Sequence, residues 1–334
     1  MAATTVANIV VPEVFENYII ERTSEKSAFV QAGIVQVDPS LNELAGGGGQ
    51  TVSMPFYQDL GQARQILSDS GSLTVNNITA DKDIAVIHND AQVWGVNALA
   101  KFLSGDDPMS AIGDLVAEYW ARQDNKLLIS TLKGVYAGSS LAANKDDIGV
   151  TSGTPAATNK LTGSTFVDAL GNLADRADRL TAVAMHSSTE AALRKADLID
   201  FIPASQGPGM LRTFQGRTVI VDDSLGTSGS GIVTKYTTYM FGESAFVKGS
   251  ANLSGQPIDG GNGSEGVEFN RDSLASVDQL INRRRHILHP RGVKFNSASM
   301  AGKSPTNAEL ETASNWTLVW EAQNVPIVEL IHNN

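Results

Sequence analysis

The chain has 334 residues, enough for one large domain or two moderate ones with a sizeable hydrophobic core. Apolar residues make up 42% and charged residues 18%, which excludes a disordered chain and indicates a globular protein. Acidic residues outnumber basic residues by 36 to 25, and the net charge of -11 disfavours a dedicated nucleic-acid-binding protein because it repels phosphate. The absence of cysteine excludes disulfides, thiolate metal sites and thiol nucleophiles.

Neither export nor membrane insertion is predicted. The N-terminus has no lysine or arginine before Arg22 and only a short apolar run, which does not match a signal peptide. No stretch approaches the roughly 18 to 20 apolar residues needed to cross a bilayer. We therefore expect a soluble protein.

Residues 1–33 form an apolar N-terminal segment that is too short to have a core of its own. Pro12 favours the start of a short helix, which would present Val14, Phe15 and Tyr18 on one side. Such a face has to be buried. The segment is therefore expected to dock on its own subunit or to reach a neighbouring one.

A period-two pattern predicts a long β-hairpin after the glycine run at 46–49. Apolar and other side chains alternate over residues 52–56, and the alternation resumes around Leu73 and Val75. Residues 84–87 are typical of a more buried strand. About 15 polar residues join the two stretches, so the alternative is an ordinary mobile surface loop.

The longest helical pattern runs from Pro108 to Tyr136, and Gly138 is a common type of terminator. At ~1.5 Å per residue it predicts a rod of roughly 43 Å, long enough for a structural spine. The residues expected to share its first apolar face are Ile112, Leu115, Val116 and Tyr119.

From residue 161 the patterns predict a mixed α+β unit of alternating helices and strands. The expected elements are a helix from Thr165 to Leu180, a strand over Thr181–His186, a helix opened by a Ser187–Glu190 capping box, a strand over Thr218–Val221 and another within Tyr236–Phe246. The tail predicts a strand over Gln279–Phe295 interrupted at Pro290, a short helix from Asn307, and a strand-like end over Val325–Ile331.

Two sequence motifs that suggest ligand binding have simpler interpretations. Gly261, Gly263 and Gly266 spell GxGxxG, but a dinucleotide site needs that string between a strand and a helix, and here a strand-like segment follows, so we interpret it as a loop. His286 and His289 lie among arginines, which repel a metal cation, and residues three apart in a strand face opposite sides. They favour a structural or interface cluster.

The run Arg283, Arg284 and Arg285 stands alone in an acidic chain without interleaved aromatic residues, which disfavours a nucleic-acid patch. Because guanidinium groups form bidentate pairs with carboxylates, the run favours a subunit contact. His186 precedes two serines but lies in no GxSxG elbow, and the glycine run lacks the Gly-Lys-Ser/Thr of a phosphate loop. No catalytic, cofactor-binding or metal-ligating residue is predicted.

The order of these segments and several strings resemble a known family. The strings are VPEVFENYIIERT near the N-terminus, TAVAMHSSTEAAL at 181–193, GRTVIVD at 216–222, YTTYMFGESAFVKG at 236–249 and RRRHILHPRGVKF at 283–295. Together they are similar to the major capsid proteins of tailed bacteriophages, which have the Hong Kong 97 type fold. The likeness covers most of the chain.

The resemblance implies an α+β fold in four parts. Residues 1–33 would be an N-terminal arm and residues 50–83 an extended β-hairpin, the E-loop, that reaches over an adjacent subunit. A peripheral domain would comprise 34–49, 84–160 and 265–300, with a spine helix at about 108–137, and an axial domain would comprise 161–264 and 301–334. The expected inter-subunit contacts are Val14, Phe15, Tyr18, Phe56, Tyr57, Arg64, Arg283, Arg284 and Arg285.

The resemblance also implies a structural protein rather than an enzyme, with no cofactor. It would self-assemble through pentamers and hexamers into an icosahedral shell around double-stranded DNA, without sequence-specific DNA binding or a membrane. Scaffold, portal and decoration proteins would be further partners, and the location would be the virion, assembled in the host cytoplasm. The alternatives are an encapsulin-like nanocompartment shell and, less favoured, an enzyme of unknown class.

Overall fold

The computed structural model describes residues 33–60, 63–66, 73–97, 108–203, 210–251, 266–273 and 276–334. Several sequence predictions lie outside these residues. They are the N-terminal arm with Val14, Phe15 and Tyr18, and the glycines Gly261 and Gly263.

The strands, in chain order, are β1 (Val35–Val37), β2 (Thr51–Tyr57), β3 (Ala80–Asn97), β4 (Lys145–Asp147), β5 (Leu180–Met185), β6 (Asp200–Pro203), β7 (Met210–Phe214), β8 (Arg217–Val221), β9 (Thr227–Ser228), β10 (Lys235–Gly242), β11 (Phe246–Ser250), β12 (Val267–Asp272), β13 (Val277–Pro290), β14 (Val293–Phe295), β15 (Trp316–Leu318) and β16 (Ile327–His332). The α-helices among the described residues are α1 (Pro39–Gly46), α2 (Pro108–Ala137), α3 (Gly163–Leu170), α4 (Ser187–Lys195) and α5 (Asn307–Leu310). Short 3₁₀ helices cover Ala142–Asn144, Ala157–Asn159, Gly171–Arg179, Gly231–Val233, Ser297–Ser299, Ala313–Asn315 and Ala322–Asn324.

Two main sheets organise the described chain. The first has the order β1-β11-β13-β3-β2, and β12 also pairs with β13. The second has the order β4-β16-β10-β5-β8-β7-β6, and β9 also pairs with β10. Most pairs are antiparallel, but β1–β11, β5–β8 and β4–β16 are parallel. Helices and sheets together confirm the predicted α+β class.

The helix α2 confirms the long helix predicted from Pro108 to Tyr136. Its C-terminal half contributes Leu128, Leu132 and Tyr136 to a core that also holds side chains of both sheets. Its N-terminal half packs Val116 and Trp120 near β13. The prediction that Leu115 shares the buried face is wrong, since its exposure is 59%. Successive helical residues are rotated by about 100°, which turns Leu115 away from the buried side.

At Gly134, α2 lies in close contact with the main chain of α5. A Cβ atom at this position would overlap the main-chain carbonyl oxygen of Leu310. The Trp316 indole Nε1 donates a hydrogen bond to the same oxygen at 2.7 Å. Only glycine fits between these groups, so the crossing depends on a missing side chain.

The predicted helix from Thr165 to Leu180 is wrong in its length. Helix α3 ends at Leu170, and a 3₁₀ segment follows in which Ala174 has a φ of 50°. Gly171 is a poor helix former, and Asn172 Nδ2 donates to Asp146 Oδ2 at 2.8 Å. This tertiary contact and the glycine together favour the end of the α-helix at this point.

The predicted Ser187–Glu190 capping box is also wrong. His186 is the N-cap of α4, and its Nδ1 accepts a hydrogen bond from the Ser188 N–H at 3.0 Å. The Glu190 Oε1 atom instead accepts from Arg194 at 2.6 Å and from Arg212 at 2.7 Å. Because Glu190 is taken up by these ion pairs, it does not reach back to the helix start.

The strand predicted within Tyr236–Phe246 is two strands in two sheets. β10 belongs to the second sheet and β11 to the first, and a turn containing Ser244 with a φ of 57° separates them. The Ser244 N–H donates to the Gly33 carbonyl at 3.0 Å, which ties the turn to the chain before β1. This turn is therefore a direct link between the two sheets.

Candidate inter-subunit surfaces

The predicted hairpin is present as strands β2 and β3, whose residues 51–57 pair with 80–86. The Gln58 N–H closes the end of this ladder by donating to the Thr79 carbonyl at 2.9 Å. Six large apolar side chains on or beyond the ladder are exposed: Tyr57 74%, Leu60 65%, Ile66 82%, Leu73 56%, Val75 88% and Ile78 55%. Soluble monomers rarely expose so many such side chains in one arm.

The strand predicted to resume around Leu73 and Val75 is wrong for the single chain. β3 begins at Ala80, and the described residues 73–79 join no ladder. The side-chain amide of Gln65 binds both main-chain groups of Thr74, donating to its carbonyl and accepting from its N–H, each at 2.7 Å. The alternating pattern is present, but no described strand pairs with these residues.

A buried carboxylate anchors the root of the hairpin. Asp83 of β3 is only 4% exposed, and its Oδ1 lies 2.9 Å from His289 Nε2. Its Oδ2 accepts a hydrogen bond from the Gly292 N–H at 3.1 Å. Because these partners lie at the end of β13 and just after it, the hairpin is held to the first sheet by polar contacts as well as by the ladder.

Among the predicted contact residues of the hairpin, Phe56 is half-buried and the other two are exposed. The Phe56 ring lies edge-on to the Trp320 ring, with ring centroids 6.0 Å apart and planes at 78°. This contact fixes the base of the arm against the C-terminal part of its own chain. Tyr57 and Arg64 are exposed, so both stay available for a neighbouring subunit.

Two residues of the arginine run bind groups of their own chain. Arg283 Nη1 lies 2.7 Å from Glu268 Oε2 on the neighbouring strand β12. Arg285 Nη2 donates to the carbonyls of Gly47 at 2.7 Å and Gly49 at 3.0 Å, in the glycine run before β2. Both arginines are partly exposed, and their contact with another subunit stays a prediction.

The middle residue, Arg284, belongs to a charged layer between α2 and the first sheet. Its Nη2 is 2.8 Å from Asp124 Oδ1 and its guanidinium lies 4.0 Å from the centre of the Trp120 ring. Lys248 Nζ is 2.7 Å from Asp124 Oδ2. Burial alone would raise the pKa of Asp124, but Arg284 and Lys248 outweigh it and hold that pKa well below its usual range. The carboxylate therefore stays ionised inside the protein.

Two histidines complete this layer. His88 and His286 face each other across the β3–β13 ladder, with ring centroids 5.4 Å apart, and both are buried. None of their four ring nitrogens has a hydrogen-bond partner in the described chain. Burial lowers the pKa of His88 to about 3 and holds the pKa of His286 well below its ordinary value. Both rings are therefore neutral at pH 7.

The described residues offer no cluster of three or more histidines, aspartates or glutamates arranged to hold a metal ion. In the same parts of the chain, every helix is too short or too polar to cross a membrane.

Sequence reasoning missed the anchor Asp83 and the buried Asp124. Asp124 lies four residues after Trp120, on the face that packs against the sheet, so a charge on an apolar stripe was a usable signal. Asp83 directly precedes the buried stretch at 84–87. Its partners follow more than 200 residues later, and no local pattern indicates them.

Solved structures with the same fold are shells. The capsid protein of Ralstonia phage GP4 superposes with a TM-score of 0.60 at 11% identity, covering 92% of this chain and 91% of that one. The capsid of cyanophage Pam1 gives 0.56 at 10% identity over 100% and 94%. The SrpI encapsulin of Synechococcus elongatus gives 0.53 at 9% identity over 99% and 91%. At such identities these likenesses establish the fold alone, which is the Hong Kong 97 type fold of shell-forming proteins.

Sequence similarity establishes the family. The major capsid protein of Bacillus phage SPP1 is 42% identical over 335 residues, an alignment that covers 99% of both chains. No family model matches the chain. The chain belongs to the major capsid proteins of tailed bacteriophages, and its established role is that of a structural shell protein of the virion.

Proposed function

We propose that many copies of this chain assemble, as pentamers and hexamers, into an icosahedral shell that encloses the double-stranded DNA genome of a tailed phage. The observation that carries the proposal is the exposed apolar hairpin in a chain of this family. Burying one large apolar side chain contributes about 1.5–3 kcal/mol. Each copy exposes six such side chains. Each contact is weak by itself, but a closed shell repeats it in every copy, so the sum is strong.

The two sheets support the proposed division into domains. The first sheet with α2 corresponds to the peripheral domain, the hairpin at 50–83 to the E-loop, and the second sheet to the axial domain. Two strands cross the boundaries expected from the sequence. β11 pairs in the first sheet and β4 pairs in the second, so we assign each to the domain of its sheet.

The proposed subunit contacts follow from exposure and charge. Tyr57 and Arg64 would bind a neighbour directly, and Arg283 and Arg285 would offer their partly exposed guanidiniums to its carboxylates. Phe56 and Arg284 already have partners within the chain, so we propose that they position the hairpin and α2. For the arm, Val14, Phe15 and Tyr18 keep the contact role proposed from the sequence.

The remaining partners rest on the family alone. Scaffold, portal and decoration proteins would join the shell, which would assemble in the host cytoplasm. The negative net charge favours a wall that does not bind DNA by sequence. An encapsulin-like compartment shares the fold, but the 42% identity to a phage coat protein favours the phage shell. We propose no catalytic role for the chain.

The test is assembly of the purified chain, alone and with candidate scaffold proteins from its own genome. Sedimentation velocity and cryo-electron microscopy should show closed particles of megadalton size. Uniform shells formed by the chain alone would argue against a separate scaffold. A well-folded monomer under every assembly condition would overturn the proposal.

A further inference from the structure

Among the described residues, no strand pairs with one edge of β3 over its second half. β3 pairs with β2 through residues 80–86 and, on its opposite edge, with β13 through residues 87–97. Past Val86, the Ile87 N–H still reaches the Gln50 carbonyl at 2.9 Å on the β2 side. The Asn89 N–H, which faces the same way, reaches Ser304 Oγ at 3.2 Å.

Every second residue of a strand directs its main-chain groups to the same edge. Ala91, Val93 and Gly95 are therefore next in line after Asn89. Their outward N–H and carbonyl groups have no hydrogen-bond partner in the part of the chain that the structure describes. All three residues are exposed.

This edge also lacks the usual protection. Natural sheets guard open edges with charges, prolines or bulges, because a bare edge pairs with other chains. β2, at the end of the same sheet, carries Pro55. The open edge of β3 instead presents alanine, valine and glycine, which leave its main chain accessible.

A second segment, residues 73–78 of the hairpin, also has main-chain groups without a hydrogen-bond partner among the described residues. Gln65 binds both main-chain groups of Thr74, which therefore point to one side as they do in a strand. The main-chain groups of Leu73 and Val75 point to the other side and have no hydrogen-bond partner among the described residues. The side chains of Leu73 and Val75 are among the exposed apolar residues of the hairpin.

These two segments cannot pair within one chain. β3 is one continuous strand from Ala80 to Asn97. At ~3.3 Å per residue, roughly 43 Å of strand separates Ala80 from Val93. The segment 73–78 lies beyond one end of this strand and the open edge lies near the other, so only a second copy can bring them together.

We propose that residues 73–78 of one copy pair, main chain to main chain, with Ala91–Gly95 of a neighbouring copy. This pairing adds a strand to the neighbour's first sheet. It rests on the proposed assembly into a shell, and it specifies which edge of the neighbour receives the hairpin and by which kind of bond.

Cysteine pairs test the pairing, because the chain contains no cysteine of its own. Paired strands bring Cα atoms to about 4.5–5.5 Å, which a disulfide spans. Val75→Cys is combined in turn with Ala91→Cys, Val93→Cys and Gly95→Cys to cover each register. Oxidised particles should give a ladder of covalent multimers on a non-reducing gel for at least one pair, and none for the single variants.

The matched control combines Val75→Cys with Ile232→Cys, which is 70% exposed and lies outside the first sheet. Intact particles without a ladder for any β3 pair would overturn the pairing while leaving shell assembly standing. If the Val75→Cys and Ile232→Cys pair gave as many covalent multimers as the β3 pairs, the cross-linking would be non-specific and the proposed pairing would be overturned. Linkage of Val93→Cys to Val10→Cys rather than to Val75→Cys would assign the edge to the N-terminal segment and also overturn it.

A second variant separates main-chain pairing from side-chain docking. Val93→Pro removes the outward N–H of an edge residue but leaves the alternate residues that bond to β13. We expect a folded subunit with near wild-type circular dichroism and at least a tenfold loss of particle yield, whereas Val93→Thr keeps the N–H and assembles. Normal shells from Val93→Pro would overturn the pairing. Absence of shells from the wild-type chain would instead count against the proposed function.

Discussion

At the scale of single residues, the neutral pair His88 and His286 makes the subunit sensitive to acid. In the unfolded chain the pKa of His88 is near 6.5, whereas burial lowers it to about 3 in the folded chain. Between these values the unfolded state binds a proton that the folded state does not. The free energy of unfolding is therefore fully retained above about pH 6.5 and declines as the pH falls toward 3.

We predict that His88→Leu reduces this decline. The decline amounts to at most about 1.4 kcal/mol per pH unit for one histidine, and leucine carries no titrating group into the buried layer. Urea unfolding of the subunit at pH 7, 5 and 4 measures it. His186→Asn, which keeps a capping side chain at α4, leaves His88 in place and should keep the wild-type slope. An equal slope in His88→Leu would contradict the prediction.

The second residue-scale prediction concerns Asp124. Asp124→Asn removes the closest carboxylate from the partly buried cations Arg284 and Lys248, although Arg284 Nη2 still lies 3.5 Å from Asp90 Oδ2. Breaking a fully buried pair costs about 3–5 kcal/mol, so we expect a loss at the lower end, about 3 kcal/mol. Chemical denaturation should show a loss of this size. Lys133→Gln is the control, since its pair with Glu311 is exposed and spans 3.7 Å, and we expect a change below about 1 kcal/mol. Similar losses in both variants would refute a special role for the layer.

At the scale of elements, the crossing of α2 over α5 should tolerate no side chain at Gly134. Gly134→Ala puts a methyl group against the Leu310 carbonyl, and we expect a loss of about 1–3 kcal/mol from overpacking. Gly171→Ala is the matched control, because no atom lies within 4 Å of its Cβ position and its φ of -58° suits alanine. Thermal melts of the two subunits measure the difference, and equal melting temperatures would refute the crossing argument.

The sequence predicts elements well where the signal is local. The long helix α2 follows from its apolar period, and the interruption between β13 and β14 follows from Pro290. The prediction fails where a side chain's contacts depend on residues that are distant in the sequence. Arg284 turns inward because Asp124, 160 residues away, lies opposite it. The hairpin anchor at Asp83 depends on residues beyond 288 in the same way.

At the scale of the whole molecule, we propose that the exposed end of the hairpin, beyond the β2–β3 ladder, serves assembly and not the fold of one subunit. Ile66 and Val75 are exposed and contribute little to the core. We predict that Ile66→Asp with Val75→Asp leaves the melting temperature of the subunit within a few degrees of wild type but abolishes particles in sedimentation velocity. The conservative pair Ile66→Leu and Val75→Ile should assemble. Shells formed by the aspartate variant would contradict the prediction.

The length of β3 has a mechanical consequence. One strand carries the root of the arm at one end and the ladder with β13 at the other, with no turn between them. In the proposed shell, where a neighbouring subunit holds the arm, outward pressure would pull on the arm, and the tension would act along this strand. This tension would load the β3–β13 hydrogen bonds over residues 87–97 in shear. Bonds loaded in shear share the force, whereas bonds loaded from one end break one after another.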